Sequence, residues 1–140
     1  MSIIVYPYLF HPKQDPKSGK ITKQIFYPFI PVRISYCHQI FPNPINALID
    51  SGSERNLFPA FFAERLNIKV KKGQIQSTRG IGTIVVNAYT HNVKCLLQTI
   101  SFDTQIDFSY EIPVPLLGRD GFFNKFKKII FEEKCVKLER

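Results

Sequence analysis

Ala47-Leu48-Ile49-Asp50-Ser51-Gly52-Ser53 carries the most information in this 140-residue chain. Ala47, Leu48 and Ile49 form a short apolar run, which reads as a buried strand. The run leads directly into an acidic residue on a Gly-containing turn. That order places a carboxylate at the rim of a core, where Ser51 and the turn amides can donate hydrogen bonds to it. Gly52 permits a backbone conformation that a Cβ would penalise. Alone, Asp-Ser-Gly is most often an ordinary turn, so its meaning comes from the sequence on either side.

Upstream, apolar and other residues alternate from Ile30 to Tyr36, the period of a half-buried strand. Pro42-Asn43-Pro44 is a turn. Ile3 to Phe10 reads as a strand interrupted by Pro7, which suits an edge. His11 to Lys20 is a turn by composition, and Ile21 to Phe26 reads as the returning strand. Residues 1–26 are thus predicted to form a hairpin. Downstream, Phe58, Phe61, Phe62 and Leu66 fall at helical spacing behind Pro59, predicting a short helix with one buried face. Strands are predicted around Gly73 to Gln76, from Thr83 to Tyr89 and from Val93 to Ile100. Pro115-Leu116-Leu117 leads into Gly118-Arg119-Asp120. Phe122, Phe123 and Phe126 predict a second short helix, and Ile129 to Phe131 with Val136 to Leu138 a closing hairpin. Two segments echo each other, Ala47 to Leu66 and Pro115 to Phe126: each has a short apolar strand, a Gly-containing turn with an acid, then a Phe-rich helix.

Composition agrees with one all-β domain. The chain is 44% hydrophobic with thirteen Phe and six Tyr, which excludes intrinsic disorder. Ten Pro and seven Gly break it into many short elements. The net charge of +8 raises nucleic acid as a partner. The lysines are scattered, however, with Lys13, Lys17, Lys20 and Lys23 near the front, Lys69, Lys71 and Lys72 in the middle, and Lys125, Lys127 and Lys128 late. With no basic run and no nucleic-acid-binding signature, the expectation is a basic surface and no nucleic acid. Cys37, Cys95 and Cys135 form no CxxC and no zinc spacing, so no metal is expected. His11, His38 and His91 lie in separate segments. The apolar opening lacks a basic n-region, and no run approaches membrane-spanning length. The expected compartment is a reducing cytoplasm, with no membrane.

From Ile30 to Leu138 the chain resembles the retroviral-type aspartic proteases, or retropepsins, and their single-domain bacterial relatives. Ala47 to Ser53 resembles their catalytic motif. Arg79-Gly80-Ile81-Gly82-Thr83 resembles the glycine-rich tip of their flap, although Arg79 and Thr83 stand where glycines are often found. Pro115-Leu116-Leu117-Gly118-Arg119-Asp120 resembles the segment that crosses beneath their active site. The three occur in the family's order. The resemblance implies a retropepsin-like half-barrel with a flap hairpin and one or two short helices, comprising an N-terminal extension (1–26) and a protease core (27–140).

It also implies an activity. Hydrolysing an amide with water needs a base and an acid together, which two carboxyls about 3 Å apart provide by sharing one proton. The chain has one Asp-Ser/Thr-Gly, at Asp50, while Asp103, Asp107 and Asp120 sit in other contexts. The second carboxyl is therefore expected from a second copy, in a homodimer acting on peptide or protein substrates with no cofactor. The resemblance gives Ser51 a hydrogen bond across the dimer axis. It gives Glu54 and Arg119 a supporting ion pair, and Gly80, Ile81 and Gly82 a cover for the peptide. A terminal strand such as Val136 to Leu138 is expected at the interface. The alternative is a non-catalytic or highly specific protein-binding or dimerisation module on the same fold.

Overall fold

The strand ending at Asp50 is Ile45–Ile49 (β6), with Ile45, Ala47 and Ile49 buried. It pairs antiparallel with Phe29–Tyr36 (β4), whose Ile30, Val32 and Ile34 also face inward. The two strands supply one wall of the core. This is a computed structural model, and it describes residues 2–79 and 85–140. Among these residues the chain is mostly β, as the sequence predicts.

The remaining strands are Ile3–Pro7 (β1), Leu9–Gln14 (β2), Ile21–Tyr27 (β3), Gln39–Ile40 (β5), Leu57–Pro59 (β7), Gln74–Arg79 (β8), Val85–Leu96 (β9), Ser101–Ser109 (β10), Leu116–Leu117 (β11), Lys128–Phe131 (β12) and Cys135–Glu139 (β13). One sheet of eight runs β5-β4-β6-β11-β7-β10-β9-β8, and a further β4–β9 pairing curls it back on itself. Phe58, Phe108, Phe122 and Leu117 fill the interior. The Phe58 ring meets Phe62 and Phe108 edge-on. Each fully buried side chain of this size contributes roughly 1.5–3 kcal/mol.

The helix expected behind Pro59 is Ala60–Arg65 (α1), with Pro59 at its N-cap. Six residues are too few for a helix to persist alone in water, so packing holds it. Ala60, Ala63 and the following Leu66 are buried, and Phe62 packs on the Phe41 and Phe58 rings. Phe61, expected on the same face, is instead half exposed, beneath the Arg65 guanidinium. The helix expected at Phe122 to Phe126 is only a 3-10 turn, Phe123–Lys125.

Three strand assignments differ from expectation. The predicted strands at Thr83 to Tyr89 and Val93 to Ile100 belong largely to one strand, β9. Its partner β10 has no counterpart in the sequence reading, because Asp103, Gln105 and Asp107 interrupt its apolar residues. At the N-terminus the hairpin is β2 with β3, whereas β1 leaves it and pairs with β13. The resulting three-stranded sheet runs β1-β13-β12. Both edges of β13 are filled within its own chain, and Val136 and Leu138 are buried, so that strand has no free edge for a partner. Among the described residues, no helix is long and apolar enough to cross a membrane.

Candidate active site

The Asp50 turn is fixed by the strand that runs beside it. β11 lies parallel to β6, with Leu116 opposite Leu48 and Leu117 opposite Ile49. On its other side it pairs antiparallel with β7. The chain therefore leaves β6, turns at Asp50 and returns as β7, with β11 held between the two. The Asp50 amide donates to the Leu117 carbonyl at 3.0 Å, and the Ile49 amide to Pro28 at 3.0 Å. Both flanks of the strand end are tied.

Within the turn, the Gly52 amide donates to Asp50 Oδ1 at 2.9 Å and the Ser53 amide to the Asp50 carbonyl at 3.1 Å. Asp50 is partly exposed, and Ser51 and Gly52 are exposed. Oδ2 of Asp50 has no hydrogen bond among the described residues. One carboxylate oxygen is thus oriented by backbone, while the other is free to meet a second group. Ser53 Oγ donates to the Arg55 carbonyl at 2.7 Å.

Behind the turn lie residues that sequence reasoning missed. Asn56 is buried and satisfied on both sides of its amide. Its Oδ1 accepts from the Gly118 amide at 3.0 Å, and its Nδ2 donates to the Gln105 carbonyl at 3.1 Å and to Thr104 Oγ1 at 3.3 Å. Thr104 Oγ1 donates onward to the Gly121 carbonyl at 2.6 Å. Two glycines make this packing feasible. A Cβ on Gly118 would lie 2.3 Å from the Arg55 carbonyl oxygen, and Gly121 has a φ of +116°, where side chains are strained.

The expected Glu54–Arg119 ion pair needs correction. Their segments do meet, since the Arg119 amide donates to the Ser53 carbonyl at 2.9 Å and the Asp120 amide to Glu54 at 2.7 Å. The Glu54 and Arg119 side chains, however, are both exposed, and no ion pair joins them. Arg55 makes the contacts instead. Its Nε donates to Asp107 Oδ2 at 2.8 Å and its Nη2 to Asp107 Oδ1 at 3.1 Å, while Nη1 reaches Asp120 Oδ2 at 3.3 Å. Arg55 and Asp120, each one residue on from the expected pair, face each other in an isolated parallel bridge, while Glu54 and Arg119 face solvent. The hydrogen bond to buried Asp107 raises the Arg55 pKa above its usual value.

β8 and β9 form a hairpin from the Gln74–Thr90 pair to the Arg79–Val85 pair. Arg79 ends β8, whereas Gly80, Ile81, Gly82 and Thr83 lie outside the described residues. Among the described residues, no group of three or more His, Cys, Asp or Glu is placed to hold a metal ion. Burial pushes the Cys95 thiol up to about 12. Cys37 is exposed, on the two-residue turn it shares with His38. His91 Nε2 lies 2.8 Å from the Val70 carbonyl oxygen.

No family model and no curated protein matches the chain. Solved structures do. The chain is similar to EIAV protease complexed with an inhibitor, at 24% identity and a TM-score of 0.48 over 66% of this chain and 82% of that one. It is also similar to a retropepsin-like aspartic protease from Rickettsia conorii, at 14% identity and a TM-score of 0.59 over 98% of this chain and 90% of that one. With the ordering of β6, β11 and β7 around Asp50, this likeness shows that the chain has the retropepsin-like fold.

Proposed function

We propose that the chain is an aspartic endopeptidase that works as a homodimer, hydrolysing peptide bonds with water held between two Asp50 carboxyls. The observation that carries this reading is the state of Asp50. Its carboxylate stands at the end of a core strand, one oxygen bound by the Gly52 amide and the other without a hydrogen bond among the described residues, in a retropepsin-like fold.

Two other carboxylates near the turn, Asp107 and Asp120, are already engaged. Asp107 receives Arg55 and Thr90, and Asp120 receives Arg55 and Asn124. The chain has one Asp-Ser-Gly, and in this reading the second catalytic carboxyl comes from a second chain, across a two-fold axis beside the turn. The ionised member of the pair takes a proton from water as the oxygen attacks the scissile carbonyl. The protonated member gives its proton to the carbonyl oxygen. The other, now holding the proton taken from water, passes it to the leaving nitrogen, and as the C–N bond breaks the first recovers a proton from the diol. Ser51, exposed beside Asp50, hydrogen-bonds across the axis and stiffens the paired turns. The β8–β9 hairpin acts as the flap, with Gly80, Ile81 and Gly82 closing over an extended peptide paired as a strand. The paired carboxyls themselves activate the water and protonate the carbonyl, so this mechanism calls on no metal or organic cofactor. The three unpaired thiols fit a reducing cytoplasm.

The test is cleavage of a peptide library by the purified protein, with and without a statine-type transition-state analogue. Inhibited cleavage supports the reading. Absence of cleavage by a protein shown to be dimeric favours the binding or dimerisation module instead.

A further inference from the structure

A single guanidinium connects the Asp50 turn to the root of the β8–β9 hairpin. Arg55 follows Asp50 by five residues, and its planar fork grips both oxygens of Asp107. Asp107 is fully buried on β10, whereas Arg55 keeps 22% of its side chain exposed. The same carboxylate holds a third partner, since Thr90 Oγ1 donates to Asp107 Oδ1 at 2.6 Å. Thr90 lies on β9 opposite Gln74, the first residue of β8, and so marks the base of the hairpin. Arg55 also reaches Asp120 Oδ2 and Gln105 Oε1, both at 3.3 Å, and forms an isolated bridge with Asp120. That bridge belongs to the contact that hangs the turn on the 119–120 segment.

We propose that Arg55, Asp107 and Thr90 form a joint that sets the Asp50 turn against the root of the flap, making Arg55 a positioning residue of the reaction. This rests on the peptidase reading for its effect on rate, but not for its existence. A buried ion pair is a weak source of stability, and its better-attested use is to specify one arrangement. Here it selects one distance between two elements that must close on the same peptide. The geometry depends on the fork, because a lysine ammonium offers a point charge and cannot hold two oxygens in a plane. Three donors engage Asp107, one on Oδ2 and two on Oδ1. Loss of the Arg55 fork frees it toward Thr90 alone, and loss of the Thr90 hydroxyl leaves it bound only to the turn.

The experiment uses two conservative variants of the full chain, Arg55→Lys and Thr90→Val, read in two ways. Arg55→Lys keeps the charge, and Thr90→Val keeps the shape while deleting only the link to β9. Misplacing a catalytic group by about 1 Å costs on the order of 100-fold in rate. Arg55→Lys is therefore expected to lower kcat by about 10- to 100-fold with KM within about twofold. Thr90→Val is expected to act mainly on KM, since it loosens the cover and leaves the Arg55 fork on Asp107 in place. The second readout is amide hydrogen exchange at Arg119 and Asp120, whose N–H groups bond the Ser53 and Glu54 carbonyls. Both variants should speed exchange there, and Thr90→Val does so only if the joint transmits. Unchanged exchange at Arg119 and Asp120 in Thr90→Val, with faster exchange in β9, overturns the proposal. Were the wild type inert toward peptides, the peptidase reading would fall, and the exchange result would still decide for or against the joint.

Discussion

Asp50 and Asn56 are close in sequence, yet only the first could be found there. Asp50, Ser51 and Gly52 are legible because their geometry is local: an apolar strand, a turn, and an amide two residues on that binds the carboxylate. Asn56 is invisible from the sequence because its partners lie 48 to 62 residues away. Arg55 is hidden for the same reason, and the reading placed the supporting pair one residue off, at Glu54 and Arg119. Asp50→Asn should abolish cleavage while the melting temperature holds or rises, because the amide keeps the turn's shape and relieves repulsion between two facing carboxyls. Activity assays and calorimetry on the same preparation check both halves. Asn56→Ala strips a buried amide of three contacts and leaves the Gly118 amide unsatisfied, for a cost of about 2–3 kcal/mol in urea denaturation. The thiols separate in the same way. Cys95, held up to about 12, stays protonated and buried at pH 8, while Cys37 is exposed. Brief iodoacetamide treatment followed by mass spectrometry should therefore find the label on Cys37 and none on Cys95.

Elements were legible where one face is plainly apolar. β4 alternates, α1 follows helical spacing behind a proline, and both stand close to where the sequence puts them. β10 escaped because burial of Asp107 depends on Arg55, and only the folded chain supplies that partner. The echo between the two halves also runs out for a local reason. Gly118 lies close against the Arg55 backbone, where any Cβ would clash, and the Phe-rich stretch after it forms only a 3-10 turn. The terminal sheet offers a direct check on the strand order. Leu138, in the central strand, is fully buried, whereas Ile3 on the edge strand is half exposed. Leu138→Ala should cost about 2–5 kcal/mol. Ile3→Ala should stay within about 0.5 kcal/mol. Equal effects in chemical denaturation would mean that β13 is not the central strand.

At the scale of the whole molecule, one chain carries one Asp-Ser-Gly and offers Asp50 no carboxyl partner of its own among the described residues. Because β13 is enclosed by β1 and β12, the proposed two-fold contact would be built from the Asp50 turns and from surfaces other than that strand. The proposed paired site would require both copies to be intact. The most direct measurement is the activity of mixtures of wild-type and Asp50→Asn chains, unfolded and refolded together in varying ratio at fixed total concentration. If the site lies on a two-fold axis, each wild-type chain is active only beside another, so an equal mixture should retain about half the activity per wild-type chain. A large excess of the variant should drive that value toward zero. Activity per wild-type chain that stays constant across all ratios would contradict the paired site and place the complete chemistry within a single chain.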